Sequence, residues 1–268
     1  MNQIKRLSII VLIIVGCSKE NPGPEAKPQV DAYYFKFMDY PDMVMPNYEN
    51  NGIVTIQHLN DKIVKREGGT FAINSYTGYD YKFSMSVQDT LIYKNSKIII
   101  NKRLFDKLET IFIEDLFITL DNNGRMIEKI RALHPEDISY QRDTLQYLYS
   151  TNGKIFRING KHQNQVIISL FYYNDMANLD SVVTRYTDRI DGELDQIRTD
   201  YFSEYDTSKN PLKELVIFDE TFYRSLSTNN FKYWRFKVLK KYDNGFHEEF
   251  RRYSLKYDNL GNVLFDAP

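Results

Sequence analysis

From residue 111 onward, hydrophobic and polar positions alternate in short runs that are separated by compact Asp/Asn/Gly clusters. The clearest copy reads Ile111-Phe112-Ile113-Glu114-Asp115-Leu116-Phe117-Ile118-Thr119-Leu120, then Asp121-Asn122-Asn123-Gly124, then Arg125-Met126-Ile127-Glu128-Lys129-Ile130. Asn and Gly accept positive φ at little steric cost, so such a tetrad closes a hairpin whose strands keep their natural twist. Further copies surround Thr151-Asn152-Gly153, Asn174-Asp175-Met176-Ala177-Asn178, Asp243-Asn244-Gly245 and Asp258-Asn259-Leu260-Gly261, with a variant over 205–210. Turn signals a few tens of residues apart, with little but strand pattern between them, predict an antiparallel meander.

Alternation also fixes the faces. Tyr253, Leu255 and Tyr257 oppose Ser254 and Lys256; Trp234, Phe236 and Val238 oppose Arg235 and Lys237, with Leu239 breaking the rule. A sheet with one apolar-aromatic face must curl on itself or pack against a second layer. The expected fold is therefore all-β: an antiparallel hairpin-repeat meander curled into a large open barrel or half-barrel.

One stretch, 211–226, interrupts the meander as a short helical excursion. Pro211 suits a first helical turn, Leu215, Phe218 and Phe222 share a helical face, and Ser227-Thr228-Asn229-Asn230 ends it. It is expected to plug the apolar interior of the curled sheet. Residues 31–105 are β-like as well, through Gly52-Ile53-Val54-Thr55-Ile56 and Lys97-Ile98-Ile99-Ile100, with turn signals at Asn50-Asn51-Gly52 and Gly68-Gly69. The pattern leaves open whether 31–105 is a separate N-terminal part or supplies the opening strands of one 31–268 domain shared with 106–268.

The start of the chain follows a different logic. Residues 1–16 carry a basic head, Lys5 and Arg6, an apolar run from Leu7 to Val15, and the small residue Gly16. That is a secretory signal peptide, and its apolar run is far shorter than the roughly 18 to 20 residues a spanning helix needs. Ile14-Val15-Gly16-Cys17 resembles the bacterial lipobox, which implies cleavage before Cys17 and acylation of its thiol and amine by chains such as palmitate. Several acyl chains exceed what stable anchoring requires, since each buried methylene contributes about 0.8 kcal/mol. Residues 17–30, polar and rich in proline, read as a tether. Ser18 in place of an aspartate leans toward the outer membrane, on its periplasmic or its surface face.

Tyr257-Asp258-Asn259-Leu260-Gly261-Asn262-Val263 resembles the tyrosine-aspartate repeat of Rhs-type proteins. Together with the lipobox, with Asp206-Thr207-Ser208-Lys209-Asn210-Pro211 and with Leu226-Ser227-Thr228-Asn229-Asn230, the chain resembles uncharacterised Bacteroidetes lipoproteins of porin-like hairpin-repeat fold. The resemblance covers about 111–268 and implies an architecture, a wide, partly open barrel outside the cytoplasm; it implies no activity.

Composition and candidate chemistry narrow the function by subtraction. A formal net charge of −1 gives no basic field for nucleic acid. Cys17 is the only cysteine, so acylation would leave no disulfide or thiolate metal site. His58, His134, His162 and His247 stand far apart, and His247-Glu248-Glu249 lacks the second histidine of a zinc-peptidase motif. No nucleophile elbow or phosphate loop occurs. The doublets Glu114-Asp115, Glu136-Asp137 and Glu248-Glu249 would each send one carboxylate to either face, and read as solvated charges. Asp121-Asn122-Asn123-Gly124 and Asp258-Asn259-Leu260-Gly261 lack the ligand spacing of a calcium loop, and turn chemistry already accounts for them. The tyrosines and Trp234 are expected to line the barrel interior, the alternative being stacking platforms for sugars.

The reading is a non-enzymatic cell-envelope lipoprotein, binding or structural, with Cys17 as its lipidation site and no cofactor. Its partners are the membrane through the lipid and, beyond that, a glycan, an apolar ligand or an envelope protein. A glycan-binding accessory and a periplasmic carrier of an apolar ligand are the alternatives. Exposed aromatic rows would favour the first of these, and an apolar cavity without charged lining the second.

Overall fold

The structure is a computed structural model that describes residues 29–38, 52–75, 78–106, 109–132, 143–162, 165–241 and 245–266. The signal peptide, Cys17 and most of the tether lie outside these residues, as do Asn50-Asn51, His134, Glu136-Asp137 and Asp243-Asn244.

The meander is present. Strands β1 (Ala32–Tyr34), β2 (Ile53–Leu59), β3 (Lys62–Ser75), β4 (Gly78–Lys94), β5 (Lys97–Phe105), β6 (Thr110–Leu120) and β7 (Met126–Ala132) are followed by a second run in the same sheet. That run comprises β8 (Asp143–Tyr149), β9 (Ile155–His162), β10 (Gln165–Tyr173), β11 (Leu179–Asp188), β12 (Leu194–Tyr205), β13 (Phe231–Lys240) and β14 (Phe246–Arg252). All 14 strands lie side by side in chain order, and β5 pairs with β6, so 31–105 supplies opening strands of the same sheet.

A recurring turn explains the order. Asp121 Oδ1 accepts the N–H groups of Asn123 and Arg125, Asn174 Oδ1 those of Met176 and Asn178, and Asp258 Oδ1 those of Leu260 and Asn262. The fourth residue of each turn is left-handed: Gly124 at φ +75°, Ala177 at +67°, Gly261 at +81°. The side-chain acceptor and the left-handed residue are both encoded locally, so each hairpin can close without help from the rest of the chain. These tight turns cluster at one end of the sheet, here the turn end; the other connections lie at the far end.

Gly68-Gly69 is not a turn. It sits inside β3, where the register against β4 shifts between Glu67 and Gly69 and Gly68 adopts φ +90°. A glycine pair within a strand serves a bulge as readily as a turn. Alternation over 253–257 is also interrupted: β14 ends at Arg252, and only Lys256–Tyr257 (β15) pairs with Val263–Leu264 (β16). Tyr253 is buried and Tyr257 exposed.

The helical excursion resolves into three short pieces, 3₁₀ turns at Pro211–Leu215 and Asp219–Thr221 and the helix α1 (Phe222–Ser225). Asn210 caps the first through Leu212 N–H, with Pro211 in the first turn as expected. Leu215 and Phe218 are buried, and Phe222 packs against the core.

This excursion shows that the sheet is curled. It touches β1 through Tyr33 Oη–Glu220 Oε1 (2.9 Å), β8 through Tyr147–Phe222 (ring centroids 6.0 Å), β10 through Phe171–Phe222 (6.2 Å) and β12 through Phe202–Tyr223 (5.4 Å). In a flat sheet β1 and β12 would lie about 50 Å apart at the usual strand spacing. The sheet instead wraps around the plug and stays open, with no pairing between β14 and β1. The C-terminal segment latches the opening, since Tyr34 N–H donates to Phe265 O (2.6 Å) and Phe37 packs on Phe265 (5.9 Å). The core residues face inward, while the outer face mixes cross-strand ion pairs such as Arg103–Asp115 (2.8 Å) and Lys237–Glu248 (3.4 Å) with exposed apolar side chains such as Ile92, Phe117, Leu148 and Phe156. Among the described residues no helix is long and apolar enough to cross a membrane.

Candidate functional site

Beyond the plug, toward the far end, the curled sheet leaves a cavity of about 600 Å³. Its walls differ in chemistry. Leu145, Tyr147, Ile158, Ile167 and Phe171, from β8 to β10, form an apolar and aromatic side. Gly160, on the inner face of β9, leaves space there: a Cβ would stand 2.9 Å from Leu145 Cδ2 and 3.1 Å from Ile167 Cβ.

The opposing wall is charged. Arg131 bridges Glu114 (Nε–Oε2, 3.0 Å) and Asp219 (Nη2–Oδ2, 2.7 Å), and Lys102 Nζ lies 3.2 Å from Glu114 Oε1. Lys129 approaches Asp219 Oδ1 from behind at 2.5 Å and donates to Ile217 O (3.3 Å). Arg66 pairs with Asp89 (2.6 Å) and with Glu220, its guanidinium 4.4 Å above the Phe218 ring centroid. Three cations of the lining and Lys129 thus face four carboxylates, Asp89, Glu114, Asp219 and Glu220.

Three of these ion pairs, Arg131–Asp219, Lys129–Asp219 and Arg66–Glu220, hold the plug to the sheet. Arg66 Nε and Asp89 Oδ1, both on side chains 3 % exposed, have neither a hydrogen-bond nor an ion-pair partner among the described residues. Asp219 and Arg131 remain 41 % and 36 % exposed although protein surrounds them, because they open into the cavity. That wall is wet.

Electrostatics define what the wall can do. Burial pushes the Glu114 carboxyl up, but Lys102 and Arg131 outweigh it and hold it below the ordinary carboxylate value. Burial likewise pushes Asp219 up, and Lys129 and Arg131 override it and bring it well below. Burial disfavours the Arg131 charge, yet Asp219, Glu114 and Asp143 keep the guanidinium protonated. Glycoside hydrolysis needs one carboxyl kept protonated as the acid, and Glu114 and Asp219 are both driven the other way. A charge-balanced wall opposite an apolar one suits the polar head and apolar body of an amphipathic molecule.

The residues singled out from the sequence fall elsewhere or take other roles. Cys17 and His134 lie outside the described residues. His58 Nδ1 is 3.3 Å from Asp31, His162 Nδ1 is 2.7 Å from Asp143 and His247 Nε2 is 2.9 Å from Glu249. No group of three metal-binding side chains forms among the described residues. Trp234 is fully buried with its indole N–H on Asp200 Oδ1 (3.1 Å), so it offers no platform. The rings exposed on the surface are chiefly phenylalanines.

The doublet Glu114-Asp115 does divide between faces, but Glu114 is not solvated: its side chain is 12 % exposed and faces the cavity. Alternation offered a signal for Lys102, which continues the inward series Ile98, Ile100. Lys129 carried none, because the register of β6 and β7 shifts between Thr119 and Leu120 and changes which residues of β7 face inward.

No protein-family model matches the sequence, and no curated protein matches it. Among solved structures the chain is similar to a porin-like protein from Bacteroides uniformis, at 13 % identity and TM-score 0.43, covering 79 % of each chain. It is similar also to a porin-like protein from Bacteroides vulgatus, at 12 % identity and TM-score 0.45, covering 78 % of this chain and 88 % of that one. At these identities nothing of the neighbours' chemistry carries over to the residues of this cavity.

Proposed function

We propose that the chain is a non-enzymatic lipoprotein of the cell envelope, anchored through Cys17 at the outer membrane, whose half-barrel holds a small amphipathic ligand. The supporting observation is the cavity itself, about 600 Å³, walled by Arg66, Arg131 and Asp219 on one side and Leu145, Ile158 and Phe171 on the other. The charged wall argues against a wholly apolar cargo, since an unmatched polar wall would be desolvated on binding. A ligand with hydroxyl or charged groups at one end, including a short glycolipid or an aryl glycoside, would satisfy both walls.

The test is to purify the full chain from envelopes in a neutral detergent and extract small molecules for mass spectrometry. Ile167→Trp, which fills the space beside Gly160, should lose the co-purifying molecule while keeping cooperative unfolding. Identical extracts from the two proteins would sink the receptacle reading. Protease treatment of intact cells distinguishes a surface from a periplasmic address.

A further inference from the structure

A second cavity, also about 600 Å³, lies on the opposite side of the plug and opens at the turn end. Its rim is built from the recurring turns, contributing Asp61 and Lys62, Arg125, Gly153 and Lys154, and Ala177, with Lys213 and Glu214 from the plug. Its floor carries the rings of Tyr93, Tyr149 and Tyr173.

The tyrosine hydroxyls of this floor are partly committed: Tyr93 donates to Ile63 O (3.0 Å) and Tyr149 to Met126 O (2.8 Å). Their rings instead carry cations. Lys62 Nζ lies 5.1 Å from the Tyr93 centroid, Arg125 Cζ 4.5 Å from that of Tyr149, and Lys154 Nζ 4.2 Å from that of Tyr173. A ring face positions a cation without neutralising it.

The contrast with the far cavity is in compensation. There every lining cation has a carboxylate within ion-pair distance. Here Arg125 alone is paired, with Asp121 (2.7 Å); Lys62, Lys154 and Lys213 make no ion pair among the described residues. Burial, and then the neighbouring Lys213, hold the Lys154 ammonium below its ordinary value. Two ammonium groups that repel each other above an aromatic floor are relieved by an anion placed between them.

The chain path adds an independent observation. β1 pairs antiparallel with β2, which runs toward Asn60-Asp61, so Asp31 and the residues before it leave the sheet at the turn end. The 12 residues from Cys17 to Pro28 span at most about 40 Å when extended. If Cys17 is lipidated as proposed above, the start of β1, at this same end of the sheet, stays within about that reach of the bilayer surface.

We propose that the turn-end mouth is an anion site for a phosphate ester, held by Lys62, Lys154 and Lys213 over the rings of Tyr93, Tyr149 and Tyr173. Lysine binds phosphate as a point charge and needs no fixed fork, which suits flexible side chains that line one cavity from separate elements. The same chemistry is offered by a phospholipid headgroup and by a soluble phosphate monoester. Only the first depends on the anchor.

The test uses the full chain in a neutral detergent and reads binding by native mass spectrometry and calorimetry. The probes are inorganic phosphate, glycerol 1-phosphate and dihexanoyl phosphatidylglycerol. Lys154→Gln with Lys213→Gln should weaken binding at least tenfold, while Lys240→Gln, an exposed charge on β13, should leave it unchanged. Cooperative unfolding followed by Trp234 fluorescence verifies the fold of each variant. Binding of glycerol 1-phosphate as tight as that of the lipid identifies a soluble ester as ligand; binding of the lipid alone identifies a headgroup. Absence of binding by all three probes, or binding untouched by the double substitution, overturns the site. Neither outcome bears on the far cavity or on Cys17, so the readings fail separately.

Discussion

Arg224 offers the sharpest probe of how the plug is held. Its side chain is 1 % exposed; Nε donates to Phe37 O at 2.7 Å and Nη1 to Phe231 O at 3.0 Å. The guanidinium lies 3.9 Å from the Phe231 ring centroid and 4.3 Å from that of Tyr253. One side chain on α1 thus joins the plug to the segment after β1, to the start of β13 and to the C-terminal segment. Arg224→Met keeps apolar volume but removes every donor. Two charge-assisted hydrogen bonds contribute about 1.5 to 3 kcal/mol each, and a desolvated cation–π contact about 2. Against this, methionine escapes the several kcal/mol that burying a charge costs. The net expectation is a loss of about 2 to 4 kcal/mol, dominated by two carbonyls left without donors at about 1 to 3 each. Urea unfolding followed by the buried Trp234 measures it as a fall in midpoint at constant slope. Arg224→Lys should lose nearly as much, because an ammonium cannot span both carbonyls in the fork geometry. Limited proteolysis should then cut within 211–227 before the sheet unfolds. A loss below about 1 kcal/mol, without new cleavage, would mean that packing alone seats the plug.

Other expectations follow from the turns, the charged wall and the leader. Gly124→Val should cost about 1 to 2 kcal/mol through strain alone, since no atom lies within 4 Å of the added Cβ; an unchanged urea midpoint would contradict the turn geometry. Ala177→Gly, at φ +67°, should raise stability by up to about 1 kcal/mol, read from the same midpoint. Glu114 and Asp219 are depressed in the folded state, so their stabilisation is present above the unfolded carboxylate values near 4 and is lost as pH falls through the folded ones. Asp219→Asn should therefore lower stability at neutral pH and flatten its fall below pH 4; parallel acid-unfolding curves would argue that Asp219 is not paired as described. Cys17→Ala should abolish incorporation of labelled palmitate and membrane association of the expressed protein, and a variant still extracted only by detergent would refute anchoring at that residue.

The sequence by itself determined the local geometry. Asp121-Asn122-Asn123-Gly124 carries both its acceptor and its left-handed residue, so the hairpin and the inward set Leu116, Ile118 of its first strand follow locally, whereas the register shift that turns Lys129 inward does not. Asn210-Pro211 likewise marks where the excursion begins, because the cap and the fixed φ are properties of adjacent residues. The Gly68-Gly69 pair was legible as a backbone irregularity but not as a bulge, since only pairing with β4 separates the two.

What the tertiary structure decided is which charges meet. Arg66 and Glu220 are 154 positions apart in the chain and Lys129 and Asp219 are 90 apart, yet each pair is brought together inside the curled sheet. On a strand their alternation resembles that of solvated residues, and nothing local distinguishes an outward lysine from one that faces a plug. The plug also separates two cavities, one whose lining cations are all ion-paired and one with three lysines that make no ion pair among the described residues. Local hydrogen bonding fixes each hairpin, whereas closure of the sheet around residues 211–228 is a long-range event, and the candidate sites exist only after it.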